Sequence, residues 1–195
     1  MNPFWHALLA NTPGQVKSIT DIGESLAYTW FGRPNCVYSE SAQKYWIGTT
    51  KLTGSGITQH VTEYNITLDT YASTQVGTVY VEDDHNQTQL IIRPDGHLVA
   101  FYTEHDGAAL RIKVSVSPYD SSLWGSEIDL NPFSSYSYPS PYQDSSGNIF
   151  LFFRVLENIS GVNNAFWYYT ISTDGGNTFA TPVSFYNTRA PPPSV

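Results

Sequence analysis

Cysteine is almost absent from this 195-residue chain. Cys36 stands alone, which excludes an intrachain disulfide and a cysteine-ligated metal cluster and reads as a buried, inert thiol. Positive charge is also scarce. Nine Lys and Arg face 17 Asp and Glu, and a net charge of −8 lacks the basic field of a general nucleic-acid or anionic-membrane binder. No apolar run approaches the ~20 residues needed to span a bilayer as a helix. The first residues, Met1-Asn2-Pro3-Phe4-Trp5-His6, have neither the basic start nor the apolar stretch of a secretory signal. An extracellular or virion-surface location would therefore need a leader already removed, or another route.

What is present points to strands. Aromatic side chains make up 15% of the chain against 13% charged, and turn-forming Gly and Pro recur, a balance that suits sheets joined by tight turns. The apolar content is enough for a sizeable core. Three aromatic-rich runs share one plan: Tyr45-Trp46-Ile47-Gly48-Thr49, Leu98-Val99-Ala100-Phe101-Tyr102 and Ile149-Phe150-Leu151-Phe152-Phe153, offset by 53 and then 51 positions. Each follows a polar turn, and each turn follows a short strand-like run: Cys36-Val37-Tyr38, Leu90-Ile91-Ile92 and Pro141-Tyr142. A repeat near fifty residues made of short strands predicts an all-β fold, a β-propeller of four-stranded antiparallel blades. About three blades are present, a partial ring.

An N-terminal extension over 1–26, with a helical turn or two between Phe4 and Ala10, precedes the partial propeller over 27–195. Blades are expected at about 28–76, 79–130 and 136–185. The tail Ala190-Pro191-Pro192-Pro193 cannot be strand interior, because consecutive prolines donate no ladder hydrogen bonds. Rings close with roughly four to eight blades. The remaining blades are therefore expected from the rest of a longer chain or from other subunits.

Ser172-Thr173-Asp174-Gly175-Gly176-Asn177-Thr178-Phe179 matches the Asp-box, Ser/Thr-x-Asp-x-Gly-x-Thr-Trp/Phe, of bacterial-neuraminidase-repeat proteins. Its carboxylate accepts local backbone N–H groups, its glycine supplies a positive φ, and its aromatic plugs the gap between neighbouring strands. Ser172, Asp174, Gly176 and Phe179 are thus expected to be structural, and the motif carries no activity by itself. A wider resemblance covers residues 27–195. Ala27-Tyr28-Thr29-Trp30-Phe31-Gly32-Arg33-Pro34, Asp83-Asp84-His85-Asn86 and Arg93-Pro94-Asp95-Gly96-His97 through Glu104-His105 carry it, with Tyr138-Pro139-Ser140-Pro141 and Phe152-Phe153-Arg154. The chain resembles a family of repeat-containing propellers that includes the ulvan-lyase-like polysaccharide lyases.

Strand order independently gathers polar residues on one face. The loop entering a first strand and the loop leaving a second strand lie on the same side of a blade. Arg33, Asn35, His85, Asn86 and Tyr138 sit at or before first strands, whereas Thr50-Lys51, His105 and Arg154 sit at or beyond second-strand ends. β-Elimination on a uronate needs a group to neutralise the carboxylate, a base for the C5 proton and an acid for the departing O4. The resemblance implies His85 and His105 for proton transfer and carboxylate contact, Tyr138 as acid or base, and Arg154, with Arg33, on the carboxylate. Asn35 and Asn86 join Arg33 as substrate-binding candidates. Plainer readings stand beside these: His85 as a turn histidine paired to a carboxylate, His105 as a solvated turn, Tyr138 as core, and Arg154 as a structural ion pair. His97 reads as structural, and Asp95-Gly96 and Asp106-Gly107 as turn signals. Asp83-Asp84 lacks the spacing of a calcium loop. No metal and no cofactor are expected.

The first functional expectation is therefore a polysaccharide lyase acting on uronate-containing polymers. The alternative is a non-catalytic glycan-binding module of a surface or phage tail-type, receptor-binding assembly, with aromatic rings on sugar faces and amides on sugar hydroxyls. A scaffold for a protein partner comes third. A polysaccharide or other glycan is the expected partner, with no nucleic acid and no membrane.

Overall fold

The structure is a computed structural model that describes residues 26–27, 35–83, 85–86, 88–159 and 161–187. Arg33, the segment from Phe4 to Ala10 and the proline tail lie outside these residues. Thirteen strands and no helix occur among the described residues. The first sheet holds β1 (Leu26–Ala27), β2 (Cys36–Ser39), β3 (Lys44–Thr53), β4 (Gly56–Asn65) and β5 (Thr70–Tyr80). The second holds β6 (Gln89–Ile92), β7 (Leu98–Tyr102), β8 (Leu110–Val114) and β9 (Ile128–Leu130). The third holds β10 (Tyr136–Gln143), β11 (Ile149–Ile159), β12 (Val162–Ser172) and β13 (Val183–Asn187).

Each sheet is an antiparallel meander four strands wide, because β1 pairs with β3 beyond the end of β2 on the same edge. The first strands neighbour one another, β6 lying beside both β2 and β10. This is the propeller arrangement, left open because three sheets do not close a ring.

Period-two alternation explains the stacking. Ile149, Leu151, Phe153 and Val155 of β11 are at most 1% exposed and pack with Ile91, Val99, Phe101, Leu110 and Ile112 of the second sheet. The middle strand β7 is buried along its whole length because both its faces are covered. Leu98, Ala100 and Tyr102 meet Trp46, Val61 and Val76 of the first sheet, while Val99 and Phe101 meet the third. The 51-residue offset maps Val99 and Phe101 onto Phe150 and Phe152 of β11. There the equivalent face carries half-buried Phe150 and Phe152, with Tyr142 62% and Phe185 53% exposed beside them.

Backbone meets backbone closely at Gly48 of β3. A Cβ there would lie 1.8 Å from the Thr88 carbonyl oxygen, so only glycine lets β3 sit against the entry to β6. The Asp-box closes β12. Asp174 accepts hydrogen bonds from the Asn177 and Thr178 backbone N–H groups (3.1 and 2.9 Å) and from the Ser172 and Thr178 hydroxyls (2.8 and 2.6 Å). Gly175 and Gly176 hold φ of 74° and 93°. Phe179 sets its edge against Phe101 at 6.4 Å, so the plug joins the second and third sheets.

One expected placement differs. Thr50-Lys51 and Arg154 do not end their strands, because β3 runs on to Thr53 and β11 to Ile159. Both strands continue as long hairpins with β4 and β12, and the residues beyond Arg154 stay paired one for one with the returning strand.

Candidate active site

Four segments of the second and third sheets build the site. Asp83 and His85 come from the loop between β5 and β6, and His105 and Asp106 from the turn after β7. Tyr138 comes from β10 and Arg154 from β11.

Local structure aims each side chain. The His85 backbone N–H donates to Asp83 Oδ1 at 2.8 Å, an Asx-type turn that folds the imidazole back over the carboxylate. The turn carrying His105 closes through Gly107, whose N–H donates to the Glu104 carbonyl at 2.8 Å. A Cβ on Gly107 would stand 2.8 Å from that same oxygen, so a side chain does not fit. Asp106 occupies the left-handed region at φ 56°. In β10 the register shifts between Ser137, opposite Arg154, and Ser140, opposite Phe152. One extra residue is accommodated there, a β-bulge. Tyr138 in the bulge has φ 58°, and Pro139, which has no N–H to offer a ladder, follows it. The bulge lets Tyr138 lie across the end of the sheet beside Arg154.

The groups then meet. Asp83 spans two imidazoles: Oδ1 is 2.5 Å from His85 Nδ1, and Oδ2 is 3.0 Å from His105 Nδ1. The two rings stack with centroids 4.2 Å apart and planes 13° from parallel. His105 Nε2 lies 3.0 Å from Arg154 Nη2 and 3.4 Å from the Tyr138 phenol oxygen. The Arg154 guanidinium sits over the Tyr138 ring at 4.5 Å. Its Nη2 also donates to Asp106 Oδ1 (2.6 Å) and Ser137 Oγ (3.1 Å). Its Nη1 reaches only the Tyr138 oxygen at 3.5 Å and its Nε is buried without a hydrogen-bond partner, so donors remain unused. Trp167, the register partner of Arg154, also stacks with Tyr138, their ring centroids 6.4 Å apart.

Electrostatics follow from these contacts. Burial opposes ionisation of Asp83, but the His85 backbone N–H and the two imidazoles outweigh it and hold the carboxyl below its usual range. Burial pushes the Tyr138 phenol up, against the pull of Arg154. Asp83, His85 and His105 also bring three potential metal-ligating atoms within 4.8 Å of one another. Both Nδ1 atoms, however, point from near-parallel stacked rings onto one carboxylate. In this arrangement both nitrogens are engaged by that carboxylate.

His85, His105, Tyr138 and Arg154 are thus gathered on one face. Asn86 is not a contact surface: it is fully buried, its Oδ1 accepting the His105 N–H at 2.5 Å and its Nδ2 donating to the Val81 carbonyl at 3.1 Å. It acts by bracing His105. Asn35 is 7% exposed, and its carbonyl accepts the Gly48 N–H at 2.7 Å. Its place is the packing of β2 on β3. Arg33 lies outside the described residues. His97 pairs with Asp95 in the β6–β7 turn, 3.2 Å apart and away from the cluster. Sequence reasoning passed over Asp106, Ser137 and Trp167. Asp106 was hidden in an Asp-Gly pair that also signals a plain turn, and Trp167 becomes relevant only through its register with Arg154.

Residues 34–189 match the sequence profile of the BNR repeat-containing family. The chain is 33% identical over 117 residues to an ulvan lyase of family PL25 from Pseudoalteromonas sp. (strain PLSV), a match that covers 53% of this chain and 22% of that protein. It is 31% identical over 117 residues to an ulvan lyase from Alteromonas sp. (strain LOR), covering 53% and 23%. Among solved structures, a PL25 ulvan lyase bound to -[GlcA(1-4)Rha3S]- superposes with a TM-score of 0.61 at 24% identity, over 78% of this chain and 37% of that one. The chain spans less than a quarter of the length of these curated relatives. With the profile matched over most of its length, the chain belongs to the BNR repeat-containing family.

Proposed function

We propose that this chain carries the catalytic part of a polysaccharide lyase that cleaves uronate-containing polymers by β-elimination. One observation carries the reading: a phenol, an imidazole nitrogen and a guanidinium meet within 3.5 Å at the Tyr138–His105–Arg154 junction. Arg154 neutralises the uronate carboxylate, which lowers the barrier to forming a carbanion at C5. Its planar fork suits a carboxylate, and its Nη1, held only by a long 3.5 Å contact to the Tyr138 oxygen, has donor capacity for one. An imidazole takes the C5 proton, since burial favours the protonated phenol at Tyr138. The electron pair left at C5 forms the C4–C5 double bond, the C4–O4 bond breaks, and Tyr138 or a protonated histidine returns a proton to O4. The ulvan lyase relatives, one with a GlcA-containing oligosaccharide bound, support a uronate over a neutral sugar.

The same reading places further propeller sheets on the bare aromatic face of the third sheet, supplied by more chain or by other subunits, and the protein outside the cell or on a virion surface. A 195-residue chain that stays monomeric and soluble with that face uncovered would count against the added sheets.

The test of activity mixes intact protein with ulvan and other uronate polymers and follows the ultraviolet absorbance of the unsaturated uronate product. Rising absorbance with wild-type protein, lost in Tyr138→Phe and Arg154→Ala, is expected. Tight glycan binding without any absorbance would sink the lyase and leave a glycan-binding module of a surface or tail-type assembly.

A further inference from the structure

We propose that Asp83 is a positioning residue that fixes the proton of His105 on Nδ1 and so keeps its Nε2 lone pair facing Tyr138; this rests on the lyase reading above. The contacts determine the tautomer from both ends of the ring. At one end stands an ionised carboxylate, which only accepts, 3.0 Å from Nδ1. At the other stands Arg154 Nη2, which only donates, 3.0 Å from Nε2. A neutral imidazole satisfies both partners in one way, with its proton on Nδ1 and its lone pair on Nε2.

The arrangement matters for proton transfer. A substrate carboxylate that draws the Arg154 donor onto itself leaves the Nε2 lone pair exposed next to the Tyr138 hydroxyl, 3.4 Å away. A proton arriving at Nε2 makes an imidazolium, and the Asp83 charge lies against its other nitrogen to stabilise it. The same carboxylate holds His85 through its other oxygen, at 2.5 Å, so one anion orients the stacked pair. Asn86 completes the frame by fixing the His105 backbone N–H. Asp83 reaches no reacting group in this scheme; it acts through His105.

Asp83→Asn is the informative substitution. The amide presents one oxygen and one NH2, so it accepts from one Nδ1–H and confronts the other ring with a donor. One imidazole is then driven to carry its proton on Nε2. Nitrogen-15 NMR of histidine-labelled protein at a pH where the rings are neutral reads this directly, since protonated and bare ring nitrogens are widely separated in shift. In the wild type, His105 is expected to show Nδ1–H. In Asp83→Asn, either His105 or His85 changes tautomer while the remaining histidine signals stay in place. A wild-type His105 that carries its proton on Nε2 overturns the proposal without any variant being needed.

Turnover supplies the second readout. If the flipped ring is His105, kcat falls on the order of 10⁴-fold with KM little changed, as expected when an orienting carboxylate is neutralised beside a catalytic histidine. A His105 flip with undiminished kcat also overturns it. An inactive wild type with Nδ1–H on His105 sinks the lyase reading and leaves the geometric role of Asp83 standing, so the two failures are distinguishable.

Discussion

Asp174 and Asp83 are each wrapped in hydrogen bonds by a turn of their own chain, yet the two wrappings belong to different chemistries. At Asp174, burial works against the charge, but bonds from Thr178, Ser172 and Asn177 bring the carboxyl down to about 2. At Asp83, the His85 backbone N–H plays the part of the Asp-box amides, and two imidazoles replace the hydroxyls. Backbone amides and hydroxyls of Ser and Thr stay neutral near pH 7, so Asp174 can only hold a turn. An imidazole both donates and accepts through its two ring nitrogens, so the same local device at Asp83 can support proton transfer. A hydrogen-bonded carboxylate is therefore no sign of a site by itself; its partners decide.

Activity is where the two carboxylates' surroundings should differ most. Arg154→Ala and Tyr138→Phe are each expected to lower kcat/KM by about 10²–10⁴-fold, the range for loss of a charge stabiliser or an acid–base group. Asp174→Ala is expected to leave kcat unchanged, and a comparable loss there would erase the distinction. Steady-state kinetics on folded variants decide it. A smaller effect tests the Asp-box as a staple between sheets: Phe179→Ala should cost about 2–3 kcal/mol in urea denaturation, below a fully buried Phe because this ring is partly buried.

Acid sharpens the comparison further. The Asp174 carboxyl titrates lower when folded than its unfolded value of about 3.9, so its contribution is present above pH ~4 and lost as pH falls toward 2. At this exposed turn, solvent screening keeps that contribution to about 1 kcal/mol. Denaturation midpoints at pH 6 and pH 2.5 should therefore converge slightly between wild type and Asp174→Ala. A gap that persists at low pH would assign the stabilisation to something other than the charge.

The sequence carried the repeat plainly, since each aromatic run falls in a second strand: β3 spans Tyr45–Thr49, β7 coincides with Leu98–Tyr102, and β11 opens at Ile149. Those strands are covered on at least one face, and burial is what writes an apolar run into sequence. The lengths of the β3–β4 and β11–β12 hairpins were less legible: Gly54-Ser55-Gly56 and Gly161 mark their tips, but the mixed polar residues of their outer halves show no alternation that would carry the strands out to those turns. His105 and Arg154 were legible as chemistry but not as neighbours. Their contact depends on the bulge at Tyr138 and on the turn closed by Gly107, neither of which leaves a periodic trace. Asp83 was legible only as a turn partner, because its second ligand, His105, arrives from another loop 22 positions away.

The bulge has a cost of its own. Tyrosine in the left-handed region is strained relative to extended backbone, by roughly 1–2 kcal/mol. Tyr138→Asn, which tolerates that region, should be more stable than Tyr138→Val by about 1 kcal/mol in thermal melts, although both lose the phenol. A neighbourhood that selection for stability alone would relax is kept taut at a residue whose hydroxyl faces His105. Variants chosen only for heat resistance should accumulate at position 138, and under the proposed lyase function they should lose turnover as they gain stability, so the bulge would be where the two demands compete within one backbone.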